Sequence, residues 1–92
     1  MRTQQESRLE SRLESPLAAR LVVLLHDQES GKAALAHQAL GHRSASGELH
    51  KQVRRLLEMR FIEMTLPDKP NSRLQRYRLT RQGRALLEKS QA

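Results

Sequence analysis

The spacing of apolar residues changes twice along this 92-residue chain, and that change limits the folds open to it. From residue 16 to residue 60 the apolar side chains recur every three or four positions, which is the pattern of amphipathic helices. From 61 to 79 they alternate with polar side chains, as in half-buried strands. From 81 the helical spacing returns. The pattern predicts a mainly α domain with a small antiparallel β-hairpin, an α+β fold.

Two helices are predicted in the first half of the chain. The first spans 16–28, with Ser15 as its N-cap and a proline at its first position, where a missing N–H does no harm. The second spans 32–40, with Ser30 as a candidate cap and Gly41 as a C-terminal stop. Their core-facing side chains are predicted to be Leu17, Leu21, Leu24, Leu25, Leu35, Ala36, Ala39 and Leu40.

The third predicted helix, 47–60, has one apolar side and one basic side. The apolar side consists of Leu49, Val53, Leu56 and Leu57. At 100° per residue, the opposite side carries Gly47, Lys51, Arg54, Arg55 and Glu58, with His50 on the flank. Two predicted strands follow, 61–66 and 73–79, and two prolines mark the loop 67–72 between them. Thr80 is then expected to cap a closing helix over 81–90.

The first fifteen residues carry a repeat of Glu-Ser-Arg-Leu that supports two interpretations. Its leucines share one helical stripe, which favours a helix. Its three glutamates, however, stack at four-residue spacing, as do Arg8 and Arg12, and like charges at that spacing destabilise a helix. Pro16 also disfavours helical geometry at Ser15. We therefore predict that 1–15 is a flexible linker and that the folded domain spans 16–90.

The net charge of +7 lies in the second half of the chain. Residues 43–84 hold eleven basic and four acidic side chains, whereas residues 1–42 hold five of each. A concentrated basic region is typical of proteins that bind a polyanion, most often nucleic acid. The chain has no cysteine, and its longest apolar run is too short to span a bilayer. We therefore expect a cytoplasmic protein without membrane contact.

Three helices followed by a hairpin with a basic loop form the element order of a winged helix-turn-helix. A helix fits the major groove of DNA, where its N-terminal side chains reach base edges and its free N–H groups attract phosphate. The predicted partner is double-stranded DNA. The predicted contacts are Ser44, Ser46, Gly47, His50, Lys51, Arg54 and Arg55 around the third helix, and Lys69, Asn71, Ser72 and Arg73 in the loop.

A second hypothesis is a protein-interaction or dimerisation module without DNA binding. Glu58 is spaced to pair with Arg54 or Arg55, in which case the basic side would be ordinary solvated surface. Homodimerisation through the first helix, the repeat or the closing helix is compatible with both hypotheses. The four histidines, His26, His37, His42 and His50, follow no zinc-site spacing, and no nucleophile is fixed beside a base. We therefore predict no metal, no cofactor and no enzymatic activity.

The run RRLLEMRFIEMTLPDKPNSRLQRYRLTRQGRALL, residues 54–87, resembles the C-terminal winged-helix domain of Fic-family proteins. It is equally similar to the end of RecG-related proteins, the ATP-dependent helicases or transcriptional regulators with an AlbA-type N-terminal domain. The resemblance covers about residues 6–88, because the Glu-Ser-Arg repeats resemble the linkers that those proteins carry ahead of this domain. Those linkers often carry proline where this chain has Leu9 and Leu13. The resemblance implies a C-terminal DNA-binding domain whose repeat joins it to parent-protein domains in cis. The Gly-rich phosphate loop and the Fic His-Pro-Phe signature of such parents do not occur in this sequence.

Overall fold

The structure, a computed structural model, describes residues 4–41 and 47–91. Within these ranges the chain forms five helices and one two-stranded antiparallel sheet, which confirms the predicted fold class. The elements are α1 (Gln4–Leu13), α2 (Pro16–Asp27), α3 (Lys32–Leu40), α4 (Gly47–Glu58), β1 (Ile62–Met64), β2 (Tyr77–Leu79) and α5 (Arg81–Gln91).

Helix α2 is the central element of the core. It packs against all four other helices and against β2. The predicted cap at Ser15 is confirmed, because the Ala18 N–H donates to the Ser15 side-chain oxygen at 3.1 Å. Its most buried apolar side chains include Leu21, Val22 and Leu25, while Leu17 and Leu24 are only partly buried. The predicted stripe is therefore right in phase, and the core extends to one further side of the helix.

The prediction of a flexible linker over 1–15 is wrong for residues 4–13, which form α1. Leu9 and Leu13 of this helix lie in the core, with 0% and 2% of their surface exposed. Polar contacts also hold the helix, since the buried Glu6 pairs with Arg20 of α2 at 3.1 Å. The Arg8 guanidinium donates to the Ser90 carbonyl oxygen of α5 at 3.1 Å.

Tertiary packing outweighs the charge repulsion that motivated that prediction. Each like-charge pair on a helix destabilises it by roughly 0.2–0.5 kcal/mol, and exposure to water weakens the effect. Burial of one leucine side chain stabilises by about 1.5–3 kcal/mol. Two buried leucines therefore exceed the repulsion. The chain leaves α1 at Glu14, whose backbone is left-handed (φ 58°), and turns into α2 through the extended Ser15.

Ser30 contributes backbone pairing and not the predicted helix cap. Its N–H donates to the Tyr77 carbonyl at 3.2 Å, and the Tyr77 N–H donates to the Ser30 carbonyl at 2.8 Å. This one-residue bridge attaches the connection between α2 and α3 to strand β2. The N-cap of α3 is instead Gly31, which makes no side-chain cap bond. Gly41 ends α3 in a left-handed conformation (φ 71°), which confirms the predicted stop.

The hairpin pairs Ile62 with Leu79 and Met64 with Tyr77, and both strands are shorter than predicted. Helix α4 also ends two residues early. Arg60 adopts a left-handed conformation (φ 63°), and the N–H of Phe61 reaches back to the Leu56 carbonyl at 3.0 Å. This bond closes the helix in a Schellman arrangement, so the chain turns into β1 and does not extend α4.

Helix α5 begins at the predicted cap, since the Gly83 N–H donates to the Thr80 side-chain oxygen at 3.1 Å. Leu86 and Leu87 are buried, as predicted. Glycine at position 83 lets α5 approach the backbone before β1. A β-carbon at this position would collide with the Phe61 carbonyl oxygen. The close approach therefore depends on the absence of a side chain.

We predict that Leu9→Ala lowers the free energy of unfolding by about 2–5 kcal/mol, because it leaves a cavity where α1 meets the core. Urea unfolding followed by circular dichroism measures the loss. The matched control is Leu74→Ala, since Leu74 is 76% exposed and the same change there should stay within about 0.5 kcal/mol. Equal effects of the two substitutions would show that α1 is not part of the folded core.

We also predict that Gly83→Ala destabilises the domain by roughly 1–3 kcal/mol, because the added methyl group displaces α5 from the Phe61 carbonyl. Gly47→Ala is the control. No atom lies near a β-carbon at that helix position, and alanine is the better helix former by about 1 kcal/mol. Thermal melts should therefore shift down for the first variant and stay unchanged or rise for the second. A melting temperature of Gly83→Ala equal to that of the wild type would contradict the close packing of α5 against the Phe61 carbonyl.

Candidate nucleic-acid interface

The outward side of α4 presents a basic surface because the inward side is held by apolar packing. Leu49, Val53 and Leu56 are buried, together with Gln52. The opposite side exposes Gly47, His50, Lys51 and Arg54, which we call the α4 face. These four residues line a shallow groove with Arg55 and Glu58. The predicted contacts Ser44 and Ser46 lie outside the described residues.

The connection between β1 and β2, residues 65–76, forms the wing. Its base is closed by the Thr65 N–H, which donates to the Arg76 carbonyl at 2.9 Å. Two consecutive turns follow. The backbone N–H of Lys69 donates to the Leu66 carbonyl at 3.0 Å, and the backbone N–H of Ser72 donates to the Lys69 carbonyl at 3.1 Å. The predicted loop contacts all belong to the wing. Lys69, Asn71 and Arg73 are exposed, and Ser72 is partly buried.

Gln75 fixes the shape of the wing from inside. Its side-chain oxygen accepts the Leu66 N–H at 2.9 Å, and its side-chain nitrogen donates to the carbonyls of Leu66 and Lys69. The Gln75 carboxamide thus forms hydrogen bonds with both the N–H and the carbonyl of Leu66, as the backbone of a partner strand would. Gln75 is 6% exposed, so water competes little for these bonds. This contact also explains why the strand pairing stops early: a side chain replaces the backbone partner.

The wing and the α4 face meet in one groove. His50 of α4 lines it together with the wing residues Asn71, Ser72 and Arg73. The start of α3, from Gly31 to Ala34, forms another wall. A β-carbon at Gly31 would lie 2.9 Å from the Gln75 carbonyl oxygen, so glycine there permits this close approach. We call this depression the interface groove. His50 lines both this groove and the shallow one on α4, which joins the two surfaces.

The basic residues of the chain fall into two groups by their partners. Some have intramolecular roles, as in the bonds from Arg20 to Glu6 and from Arg78 to Glu63. Others have no ion pair or side-chain hydrogen bond among the described residues. Ten residues belong to this second group: Arg12, Lys32, Lys51, Arg54, Arg60, Lys69, Arg73, Arg76, Arg81 and Lys89. Five of them lie on α4 (Lys51 and Arg54) or on the wing (Lys69, Arg73 and Arg76), and we call these five the unpaired cations. Glu58 likewise makes no ion pair with Arg54 or Arg55 within the described ranges.

Arg55 belongs to the group with intramolecular partners. Its guanidinium donates to the Gln52 side-chain oxygen at 2.7 Å and to the Leu13 carbonyl at 3.0 Å. Gln52 in turn donates to the Glu48 carboxylate at 2.8 Å. Because Leu13 ends α1, these bonds connect α4 with α1. A DNA contact by Arg55 stays a prediction, and it would come in addition to these two bonds.

Two side chains of β2, Tyr77 and Arg78, have shifted pKa values. Arg78 bonds Glu63 at 2.7 Å and lies 3.8 Å from Glu29. The hydrogen bond to Glu63 is the main cause that raises the pKa of Arg78 above its ordinary value. Burial raises the pKa of Tyr77, since the phenolate would lose its hydration. Both shifts keep these groups in their usual protonation state at neutral pH.

Sequence reasoning missed three residues of this surface: Gln75, Lys32 and Arg76. The signal for Gln75 was its position, because it alternates in phase with the inward-facing Tyr77 and Leu79. A polar residue on the buried side of a strand pattern needs internal partners. Lys32 lines the interface groove from the first turn of α3, which brings a further cation to the wing. Only the fold reveals that proximity.

Within the described residues, no group of three or more histidine, aspartate or glutamate side chains is arranged to hold a metal ion. In the same part of the chain, every helix is too short or too polar to cross a lipid bilayer.

The order of helices, the hairpin and the bridging Ser30 define a small, mainly helical domain of the winged-helix type. The chain belongs to the family described as the C-terminal domain of the Fic-like proteins, filamentation induced by cAMP, whose sequence profile it matches over residues 17–80. That match runs from α2 to the end of β2. No curated protein and no solved structure matches the chain significantly. The Fic half of the predicted resemblance is thus confirmed, and the RecG-related half stays a prediction.

We predict that Gln75→Ala loosens the wing without unfolding the domain, because it removes the partners of Leu66 and Lys69 inside the loop. Amide hydrogen exchange at Leu66 should accelerate on the order of tenfold or more, since that N–H loses its acceptor. Gln38→Ala, an exposed position on α3, serves as the control and should leave the wing amides unchanged. Unaltered exchange at Leu66 in Gln75→Ala would refute the internal fixation of the wing.

Proposed function

We propose that this domain binds double-stranded DNA, with the α4 face in the major groove and the wing on the adjacent sugar–phosphate backbone. The observation that carries the proposal is the position of the unpaired cations. Of the ten described cations without an intramolecular partner, five lie on α4 or the wing, and a sixth, Lys32, lines the interface groove where these two elements meet. Intramolecular carboxylates do not neutralise these charges within the described residues, so they are free to neutralise phosphates.

The dimensions of α4 suit this task. An α-helix with its side chains fits the major groove, and the N-terminal part of the helix makes the base contacts in helix-turn-helix proteins. Gly47, at the start of α4, has no side chain to hold the backbone away from a partner. His50, Lys51 and Arg54 follow on the same exposed side. Each cation that meets a phosphate releases a condensed counterion, which favours association at low salt.

The interface groove is suited to one phosphate strand. The backbone N–H groups at the start of α3 lack a side-chain cap, and Lys32 and Arg73 line the same depression. A helix N-terminus with cations beside it attracts anions. A strand of the duplex that runs between His50 and the wing would therefore meet donors from α3, α4 and the wing.

Membership in the Fic-like C-terminal family supports a targeting role. Within a Fic-type or RecG-related protein, such a domain would bring the parent domains in cis to duplex DNA. We propose that the domain itself acts by binding and not by catalysis, in the cytoplasm. Homodimerisation is compatible with this role, because many helix-turn-helix domains read two half-sites as dimers.

A salt titration of labelled duplex DNA tests the proposal. We expect wild-type binding to weaken with salt at a log–log slope of about −0.9 for each phosphate contact. Arg54→Glu and Arg73→Glu should each weaken binding on the order of tenfold or more and reduce the slope, because each removes one charged contact. Both side chains are exposed and unpaired, so neither change should lower stability much.

The control is Lys89→Glu, which also changes the net charge from +7 to +5. Lys89 lies near the end of α5, where the bond from Arg8 to Ser90 places α1 alongside. It should bind almost as the wild type does. Equal weakening by all three reversals would mean that only total charge matters. Absence of wild-type binding at low salt would eliminate the proposal and leave the protein-interaction module, which size measurements of the free domain would then examine.

A further inference from the structure

The wing carries a large apolar side chain in a position where water surrounds it. Leu74 is 76% exposed. The other exposed large hydrophobic side chain in the described ranges, Met59, is 38% exposed. Leu74 stands between Arg73 and, two positions on, Arg76, and both arginines are unpaired cations. An apolar side chain flanked by arginines suits a partner with a charged outside and an apolar interior. The stacked base pairs of a duplex between its phosphate strands have that character.

Hydrogen bonds hold the wing at Leu74 and at the residue that follows it. The Leu74 N–H donates to the Ser72 side-chain oxygen at 3.1 Å. The next residue is Gln75, whose carboxamide is fixed by its bonds to Leu66 and Lys69. Fixing the backbone on both sides lowers the entropy that Leu74 would lose on binding. The leucine is therefore presented by a preorganised loop.

Leu74 does not line the interface groove, although its neighbours in the wing, Arg73, Gln75 and Arg76, do. If one phosphate strand lies in that groove and α4 occupies the major groove, the far side of the wing faces the neighbouring minor groove. Leu74 is on the element that reaches this groove.

We propose that the wing is a wedge: Leu74 enters the minor groove and separates two adjacent base pairs, while Arg73 and Arg76 contact the flanking phosphates. This inference rests on the proposed function and specifies its ligand as a deformable duplex. Insertion of a leucine side chain between base steps partly unstacks them and bends the DNA toward the major groove. Pyrimidine–purine steps such as TA unstack most easily, whereas A-tracts are stiff. The domain should therefore favour duplexes with TA steps over A-tracts of the same base composition.

The test uses the full chain and two duplexes on the order of 25 base pairs long, one rich in TA steps and one built from A-tracts. Energy transfer between fluorophores at the duplex ends reports bending, and fluorescence anisotropy reports affinity. We expect the wild type to bend the TA-rich duplex and to bind it more tightly than the A-tract duplex. Leu74→Ala should abolish the bend and weaken binding to the TA-rich duplex on the order of fivefold. Its salt slope should not change, because no phosphate contact is lost.

Two further variants separate the wedge from simple effects. Leu74→Met keeps a long apolar side chain and should keep the bend. Met59→Ala removes the other exposed apolar side chain, which is outside the wing, and should behave as the wild type. Salt-dependent binding without bending, unchanged in Leu74→Ala, would overturn the wedge and leave the proposed function intact. Failure of the wild type to bind either duplex would overturn both. Loss of self-association in Leu74→Ala with unchanged DNA bending would assign Leu74 to a protein contact and overturn the wedge.

Discussion

The arrangement of the candidate interface depends on one short backbone pairing, that of Ser30 with Tyr77. Its two hydrogen bonds, of 3.2 and 2.8 Å, attach the start of α3 to the strand that leaves the wing. Gly31 then lets α3 approach the Gln75 carbonyl more closely than a residue with a side chain could. This junction fixes the end of the wing beside the start of α3. With it, α3, α4 and the wing share one groove, and cations far apart in sequence become neighbours.

Much of the fold could be predicted from the sequence because apolar spacing reports which side of an element is buried. The phases of α2, α3 and α4, the caps at Ser15 and Thr80, and the hairpin were all accessible in this way. Helix α1 was not, because local charge rules describe an isolated helix, whereas Leu9 and Leu13 are stabilised by a core that the local pattern cannot show. The early end of α4 depends on a left-handed Arg60, which no residue preference indicates.

The candidate site was predicted less completely, for a related reason. Spacing alone identifies a basic side of α4, but it cannot separate arginines that stabilise the fold from cations that remain available. Arg54 and Arg55 are adjacent and looked equivalent, yet Arg55 donates to Gln52 and to the Leu13 carbonyl. Its partner on α1 is 42 residues away along the chain. The shape of the wing likewise depends on a buried Gln75, whose partners only the folded loop brings within reach.

The separation of paired from unpaired cations also has a consequence before any contact forms. Charges that are matched inside the fold contribute little to the field at a distance, whereas cations without a partner contribute more. Half of the described cations without a partner lie on α4 and the wing, and the net charge of +7 lies in residues 43–84. Such an uneven distribution gives the molecule an electric dipole. In the field of a polyanion the dipole exerts a torque, so the domain would rotate into a preferred orientation as it diffuses. The torque acts over roughly the Debye length, about 8 Å at physiological ionic strength. At that range, orientation depends on which arginines the fold has already neutralised.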